Sequence, residues 1–354
     1  MLLERRPALA TVTTPVSTGA FRLQFDNPQE MELVRQTLEL LAELDRPDAG
    51  LEVERRGYLF ANLTAQGEAE SARMLASQRG WGLDDVEWLS GDEARRRFPY
   101  LSSSVRSARF RAGDGWLNPR RLAITLAEQS GATVLCDSPV TAFQTEGERI
   151  TGVSTPGGSL SAPAVVLAAG IMSGSLARLI GLQLAISPVR RQKLVIPFLP
   201  MVPRDAPMTI EVETGAHWRP ALQGAFALWT APAAPEPPSE EVTPTADFAF
   251  GLLDPRSDHA LARVAPFWAQ AWEWPGLQWL VQAGQYDYTP DHRPLLGPSA
   301  FPGLYLNTGF SGHGVMTCAG AARRVVDTIT GRVKPQENPF RPDREMRARP
   351  LDVL

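Results

Sequence analysis

Near its carboxyl end the chain reads GLYLNTGFSGHGVMTCAGAARRVVDTITG, from Gly303 to Gly331, and here residue types and spacing come nearest to chemistry. Leu304 to Asn307 predicts a strand and Thr308 to Gly314 a glycine-rich turn. Met316 to Thr330 predicts a helix with Met316, Ala319, Ala322, Val326 and Ile329 on one face. A helix start points unsatisfied N–H groups and the positive end of its dipole outward, so such a strand, turn and helix can cradle an anion. Gly309, Gly312 and Gly314 let a ligand approach the backbone closely, and His313 stands between two of them. The order is G-x-x-G-x-G and not G-x-G-x-x-G; by spacing alone it is equally a tight turn that His313 caps. A second junction, Val165 to Ala169 and Gly170 before a helix from about Ser175, permits the same approach or a plain strand-to-helix connection.

The elements that must position these residues are legible in part. Asn27-Pro28 is an N-cap followed by proline at the first helical position, and Met31, Val34, Leu38, Leu41 and Leu44 then recur at helical spacing up to Arg46-Pro47. Further helices are predicted at about 65 to 79, at 91 to 97 behind the capping box Ser90-Gly91-Asp92-Glu93, and from Asn118-Pro119 to about Gln129. The period then changes. Thr133 to Cys136, Val140 to Thr145, Ile150 to Ser154 and Ala164 to Ala169 read as short strands, as do Met208 to Val212 and Ala225 to Trp229. Ala231 to Thr245 holds five prolines and reads as an exposed excursion, and a helix is expected around His259 to Ala271. Alternating element types imply α/β (α+β) architecture with two interleaved parts.

Composition bounds the function from outside. The 354 residues are 44% hydrophobic and 21% charged, with a net charge of -4, which is ordinary for a folded globular protein and gives no basic footprint for nucleic acid. No stretch approaches the ~18 apolar residues of a membrane span and no apolar signal core stands at the start, so the expected compartment is the cytoplasm. Cys136 and Cys318 are far apart and lack partners at metal spacing, so no disulfide framework and no metal site is expected. Lysine is confined to Lys193 and Lys334 in an otherwise arginine-rich chain.

Five stretches in one order, GAFRLQF (Gly19 to Phe25), VVLAAG (Val165 to Gly170), PVRRQ (Pro188 to Gln192), TPDHRPLLG (Thr289 to Gly297) and GLYLNTGFSGHG (Gly303 to Gly314), resemble the FAD-dependent oxidoreductases of the D-amino-acid oxidase superfamily. GQYDYTPD at Gly284 to Asp291 is most similar to the branch of the sarcosine oxidase β subunit and dimethylglycine dehydrogenase. The resemblance spans nearly the whole chain. It implies a Rossmann-like FAD-binding domain (1–50, 103–184 and 289–335) interleaved with a mixed-sheet substrate domain (51–102 and 185–288), followed by a tail (336–354). The implied activity is oxidation of a small amine or amino acid at its C–N bond.

The same resemblance implies roles for single residues. Glu4 would end a strand of the FAD half and accept hydrogen bonds from the adenosine ribose; on residue type alone it is a surface residue. Thr14 would lie near the pyrophosphate, and Val140 would offer its backbone to adenine. Gly19, Ala169, Gly170, Gly309, Gly312, His313, Gly314 and Met316 would complete the cofactor site, the helix start facing the flavin edge that gains negative charge on reduction. Arg22 would stand beside the flavin ring, Tyr286 over its substrate face, and His217 with Arg219 would project from the substrate sheet; by type alone these four are equally ion-pair or strand residues.

Departures from the pattern qualify the substrate and the acceptor. An arginine and a lysine that clamp a substrate carboxylate in monomeric sarcosine oxidases are matched by Phe25 and Met316, and the arginine of glycine oxidases by Tyr286. The cysteine that tethers flavin aligns with Gly284, which implies non-covalent FAD, and the oxygen-activating lysine has no counterpart, which favours a dehydrogenase over an oxidase. The resemblance leaves room for an electron acceptor or partner subunit, and the rival readings are a truncated non-catalytic homologue and an electron-transfer or structural subunit of a larger oxidoreductase complex. Because Leu2-Leu3-Glu4 would close a second strand, the resemblance implies a dinucleotide domain truncated at its amino end, without its first β-α unit and G-x-G-x-x-G turn, and predicts such a segment in the reading frame upstream of Met1.

Overall fold

The computed structural model describes residues 1–47 and 49–349. The chain begins with β1 (Leu2–Leu3), a one-turn helix α1 (Thr13–Val16) and β2 (Ala20–Phe21). Asn27 then starts α2 (Pro28–Leu44): its side chain accepts from the Glu30 N–H at 2.9 Å, and Pro28 needs no partner at the first helical position. There follow β3 (Tyr58–Asn62), α3 (Ala65–Gly80), β4 (Glu87–Ser90), α4 (Gly91–Arg97) with its capping box formed between Ser90 and Glu93, β5 (Ser107–Arg111), β6 (Gly115–Trp116) and α5 (Pro119–Gln129), capped by Asn118. Next come β7 (Val134–Leu135), β8 (Ala142–Glu146), β9 (Arg149–Thr155), β10 (Gly158–Ser161), β11 (Val165–Leu167), a 3-10 turn at Gly170–Met172 and α6 (Ser173–Arg178). The last third holds β12 (Ser187–Ile196), β13 (Met208–Glu211), β14 (His217–Ala221), β15 (Gly224–Leu228), α7 (Ala246–Leu253), α8 (Phe267–Trp272), β16 (Leu280–Tyr288), β17 (Leu295–Pro298), β18 (Leu304–Thr308) and α9 (Gly314–Ile329).

Eight strands form one mixed sheet in the order β16-β12-β15-β14-β13-β3-β5-β4, antiparallel throughout except where β13 runs parallel to β3. Its longest ladder pairs β12 with β16, Ser187 opposite Tyr288 and Val195 opposite Leu280, and so fixes Arg191 across from Gly284 and Val189 across from Tyr286. One face is covered by α7 and α8, where Trp218 and Trp268 are almost fully buried among Leu194, Phe248 and Leu252. The smaller sheets are β1-β7, β10-β9-β8, β2-β6 and β11-β18-β17. In the last, β11 runs parallel to β18, and the chain turns from β18 into α9. Helix α9 packs on α2 at a close approach: a Cβ at Gly320 would lie 2.5 Å from the backbone of Leu33.

That approach corrects the predicted face of α9. The buried positions are Met316, Thr317, Gly320, Ala321, Val325 and Thr328, while Val326 is half-exposed. The small residues turn inward because α2 leaves no room for larger ones. The helix expected over 259–271 is broken into a 3-10 turn (Leu261–Arg263) and α8, because Pro266 disfavours helical backbone at Ala265. Helix α7 was not predicted, and β5, inside the stretch expected to belong to the FAD half, joins the eight-stranded sheet. The proline-rich segment 231–245 is without regular structure but not a free excursion. Ser239 N–H donates to the Gln285 side chain at 2.8 Å, and Glu240 pairs with Arg5 and Arg6. Among the described residues no helix is long and apolar enough to cross a membrane.

Candidate active site

Strands β14 and β16, the segment after α1 and the start of α9 converge on one cavity. Arg22, Tyr58, His217, Tyr286, His313 and Met316 line it together with Gly312, and no aspartate or glutamate among the described residues does. Its lining is therefore electropositive or neutral.

The glycine turn of the sequence motif is held open by its own backbone. Gly309 and Gly312 adopt φ of +75° and +97°, where a side chain is strained, and a Cβ on Gly312 would lie 2.7 Å from the Tyr286 ring. Asp287, next to Tyr286 on β16, organises the same turn: its buried carboxylate accepts from the Gly309 N–H at 2.7 Å and from the Thr308 hydroxyl at 3.3 Å. Burial holds this carboxyl above the usual range, against the pull of those donors. Helix α9 then starts at Gly314 with His313 as the residue before it, so its free N–H groups and the positive end of its dipole stand beside the cavity that His313, Val315 and Met316 line.

Arg22 is buried and donates to the Gln24 carbonyl at 2.6 Å, with its guanidinium 4.5 Å from the centre of the Phe25 ring. Asp114 fixes this segment, accepting from Leu23 N–H at 2.9 Å, the Gln24 amide at 3.0 Å and Arg111 at 2.6 Å. His217 Nδ1 lies 2.7 Å from the Gly215 carbonyl, and burial pushes its pKa down to about 4, so it is neutral at physiological pH. Arg219 is not on the cavity wall. It lies between the Trp116 and Phe226 rings and donates to the Thr18 carbonyl at 2.7 Å, supporting the segment that does line it. Beside it, Lys193 reaches the Pro15 and Ser17 carbonyls at 3.5 and 3.3 Å, and burial, with the Arg219 charge, lowers it to about 7.

The remaining predicted residues are not among those that line this cavity, though Gly19 stands between Thr18 and Ala20, which do. Glu4 follows β1 and accepts from the Arg6 N–H at 2.8 Å; Val140 is in the connection before β8. Thr14 is in α1, which Thr13 ties to β16 through the Gln285 carbonyl at 3.2 Å. Ala169 and Gly170 follow β11, and Gly170 accepts from Thr308 at 3.3 Å, so both glycine junctions meet at the end of β18. Gly19, at φ +68°, approaches so closely that a Cβ would meet the Leu117 carbonyl oxygen at 1.9 Å.

Sequence reasoning missed Glu30, Tyr58, Arg191 and Asp287. Glu30 had a signal, an acid three residues after an N-cap asparagine, but it reads as a helix-start residue and gives no hint of its distant partner: its carboxylate stands 3.0 Å from Nδ1 of His313.

A family model described as FAD dependent oxidoreductase matches residues 1–328. The chain belongs to that family, whose cofactor is FAD. Similar proteins include FAD-dependent oxidoreductase domain-containing protein 1 of Bos taurus, 27% identical over 93% of this chain and 74% of the relative. Human mitochondrial sarcosine dehydrogenase is 26% identical over 93% of this chain but only 36% of its own length. A D-amino acid dehydrogenase of Cereibacter sphaeroides is 31% identical over 88% of this chain and 63% of that protein. The chain thus spans about a third to three quarters of these relatives. Among solved structures, L-proline dehydrogenase from P. horikoshii superposes with a TM-score of 0.84 over 97% of this chain and 91% of that one at 24% identity, a likeness of fold. The site fits the cofactor: an acid-free lining, a helix start and glycines that could not carry a side chain suit a flavin edge that gains negative charge.

Proposed function

We propose that this chain oxidises the C–N bond of a small secondary or tertiary amine or amino acid, of the sarcosine, dimethylglycine or D-amino-acid kind. The observation that carries the reading is the convergence of Arg22, His217, Tyr286, Gly312, His313 and Met316 on one acid-free cavity at the start of α9. Bound FAD supplies the hydride acceptor. Gly19, Gly312, His313, Gly314 and Met316 would hold it at the helix start, with Glu4, Thr14, Val140, Gly170 and Gly309 along its remainder. Arg22 adds positive charge beside the same region, where a low-dielectric wall makes that charge count for more than in water. Tyr286, its phenol pushed up to about 12 by desolvation, stays protonated and serves as a donor and a ring surface for the substrate. Neutral His217 offers an uncharged neighbour to an amine that must itself be uncharged to react.

Attachment would be non-covalent. Position 284 is glycine, and burial pushes the Cys318 thiol up to about 11, which leaves it a poor nucleophile. Lys193 is committed to the Pro15 and Ser17 carbonyls and does not line the cavity, so no lysine is placed to help oxygen, which favours a dehydrogenase. The test is to bleach the FAD-loaded protein with an amine under nitrogen and then admit air. Slow return of colour without peroxide supports a dehydrogenase; rapid peroxide formation contradicts it.

A further inference from the structure

An amine reaches such a site mostly as its ammonium, because free amino groups titrate near or above pH 8. It must shed a proton before its C–H bond can donate a hydride. The cavity that would receive it carries two guanidinium groups, Arg22 and Arg191, and no carboxylate among the described residues, so it disfavours the ammonium but offers few places for the proton. Its titratable lining comprises Arg22, Arg191, Tyr58, Tyr286, Tyr288, His217, His292 and His313. Burial pushes the Tyr58 and Tyr286 phenols up and His217 down, so none of these three takes a proton near neutrality.

Behind His313 stands a buried carboxylate. The imidazole Nδ1 is 3.0 Å from Glu30 Oε1, and Glu30 is only 2% exposed. The other carboxylate oxygen accepts from the Asn27 amide at 2.7 Å, and the Phe25 ring meets the imidazole edge-on at 4.9 Å. A buried carboxylate with only two partners strongly prefers a hydrogen-bond donor at Nδ1. That fixes the tautomer with the proton on Nδ1 and leaves Nε2 as the free lone pair of a cavity-lining ring. We propose that Glu30 and His313 form a dyad in which Glu30 positions and charges the imidazole, and His313 Nε2 takes the proton from the bound substrate ammonium. In that step one N–H bond of the ammonium breaks, an Nε2–H bond forms, and the resulting imidazolium is neutralised by Glu30 until the proton passes to solvent. The inference rests on the amine-oxidising reading given above.

The chain has four histidines, so their ring nitrogens can be followed one by one in the FAD-loaded protein by 15N NMR across a pH titration. The dyad predicts the Nδ1–H tautomer for His313, and loss of that preference in Glu30→Gln, where the carboxamide can donate as well as accept. The opposite tautomer in the wild type, or an unchanged tautomer preference in Glu30→Gln, overturns the proposal. The second readout is the pH dependence of anaerobic flavin bleaching by sarcosine, dimethylglycine, proline and D-alanine. The acid limb should move in Glu30→Gln, and in His313→Asn only the limb set by the substrate's own ammonium should remain. A loss of rate with the limb in place would mean a merely structural pair and also overturns the proposal. Failure of all four amines to bleach the wild-type flavin counts instead against the amine-oxidising reading, and the dyad is then decided by the NMR titration alone.

Discussion

A methyl group added at Gly312 would lie 2.7 Å from Cε2 of Tyr286, so the glycine turn before α9 and strand β16 are fitted to each other at the residue that faces the cavity. Gly312→Ala should therefore cost about 2 to 5 kcal/mol: roughly 1 to 2 from left-handed backbone and 1 to 3 from overpacking. The control is Gly181→Ala, where φ is +75° but nothing lies within 4 Å; it should lose only the backbone part. Denaturant midpoints separate the two, and the first substitution alone should weaken FAD binding. Equal losses would contradict the fitted contact.

Asp287 is the next member of the same arrangement. Asp287→Ala leaves the buried Gly309 N–H without its acceptor, which costs about 1 to 3 kcal/mol, and it should release flavin from the site as the turn loosens. Asp287→Asn keeps an acceptor oxygen and should retain most of both. A fluorescence titration with FAD compares the three proteins.

His217 predicts a pH dependence with a definite sign. Burial lowers it from 6.5 to about 4, so between those values the unfolded chain binds a proton that the native protein refuses. Stability should be fully present above pH 6.5 and fall as pH drops towards 4, by up to about 3 kcal/mol at 1.36 per unit. His217→Gln should flatten that part of the curve; urea midpoints at intervals from neutral to acid pH give the comparison.

Lys193 gives the mirror test at alkaline pH. Its native value of about 7, against 10.5 unfolded, means that its burial penalty is complete below 7 and fades as pH rises through that window. Lys193→Met should gain on the wild type most at neutral pH and lose that advantage towards pH 10. A gap that stays constant with pH would show that the loss of the Pro15 and Ser17 hydrogen bonds, and not the charge, governs the variant.

What could be read in the sequence were the features whose cause is local. Asn27-Pro28, Ser90 with Glu93, and Asn118-Pro119 start their helices where their side chains can reach the first free N–H groups, and all three do so. The G-x-x-G-x-G turn was legible because Gly309 and Gly312 take left-handed backbone that glycine adopts most readily. The buried face of α9 was not, because it is set by how closely Gly320 approaches Leu33 on α2, a contact between distant parts of the chain. His313 could be picked out by its motif, but Glu30, 283 positions away, could not. The same holds for Asp287, whose role depends on β16 and the turn after β18 meeting in space. Arg219 is expected from the resemblance to project from the substrate sheet with His217, yet its guanidinium lies over the Trp116 and Phe226 rings, an arrangement set by distant parts of the chain.

The most direct measurement is an anaerobic absorbance titration of the purified chain reconstituted with FAD. A bound flavin spectrum is expected that is bleached by at least one of sarcosine, dimethylglycine, proline or a D-amino acid, and far more slowly in Arg22→Met. A protein that stays colourless with FAD, or a bound flavin that none of these amines reduces, would contradict it.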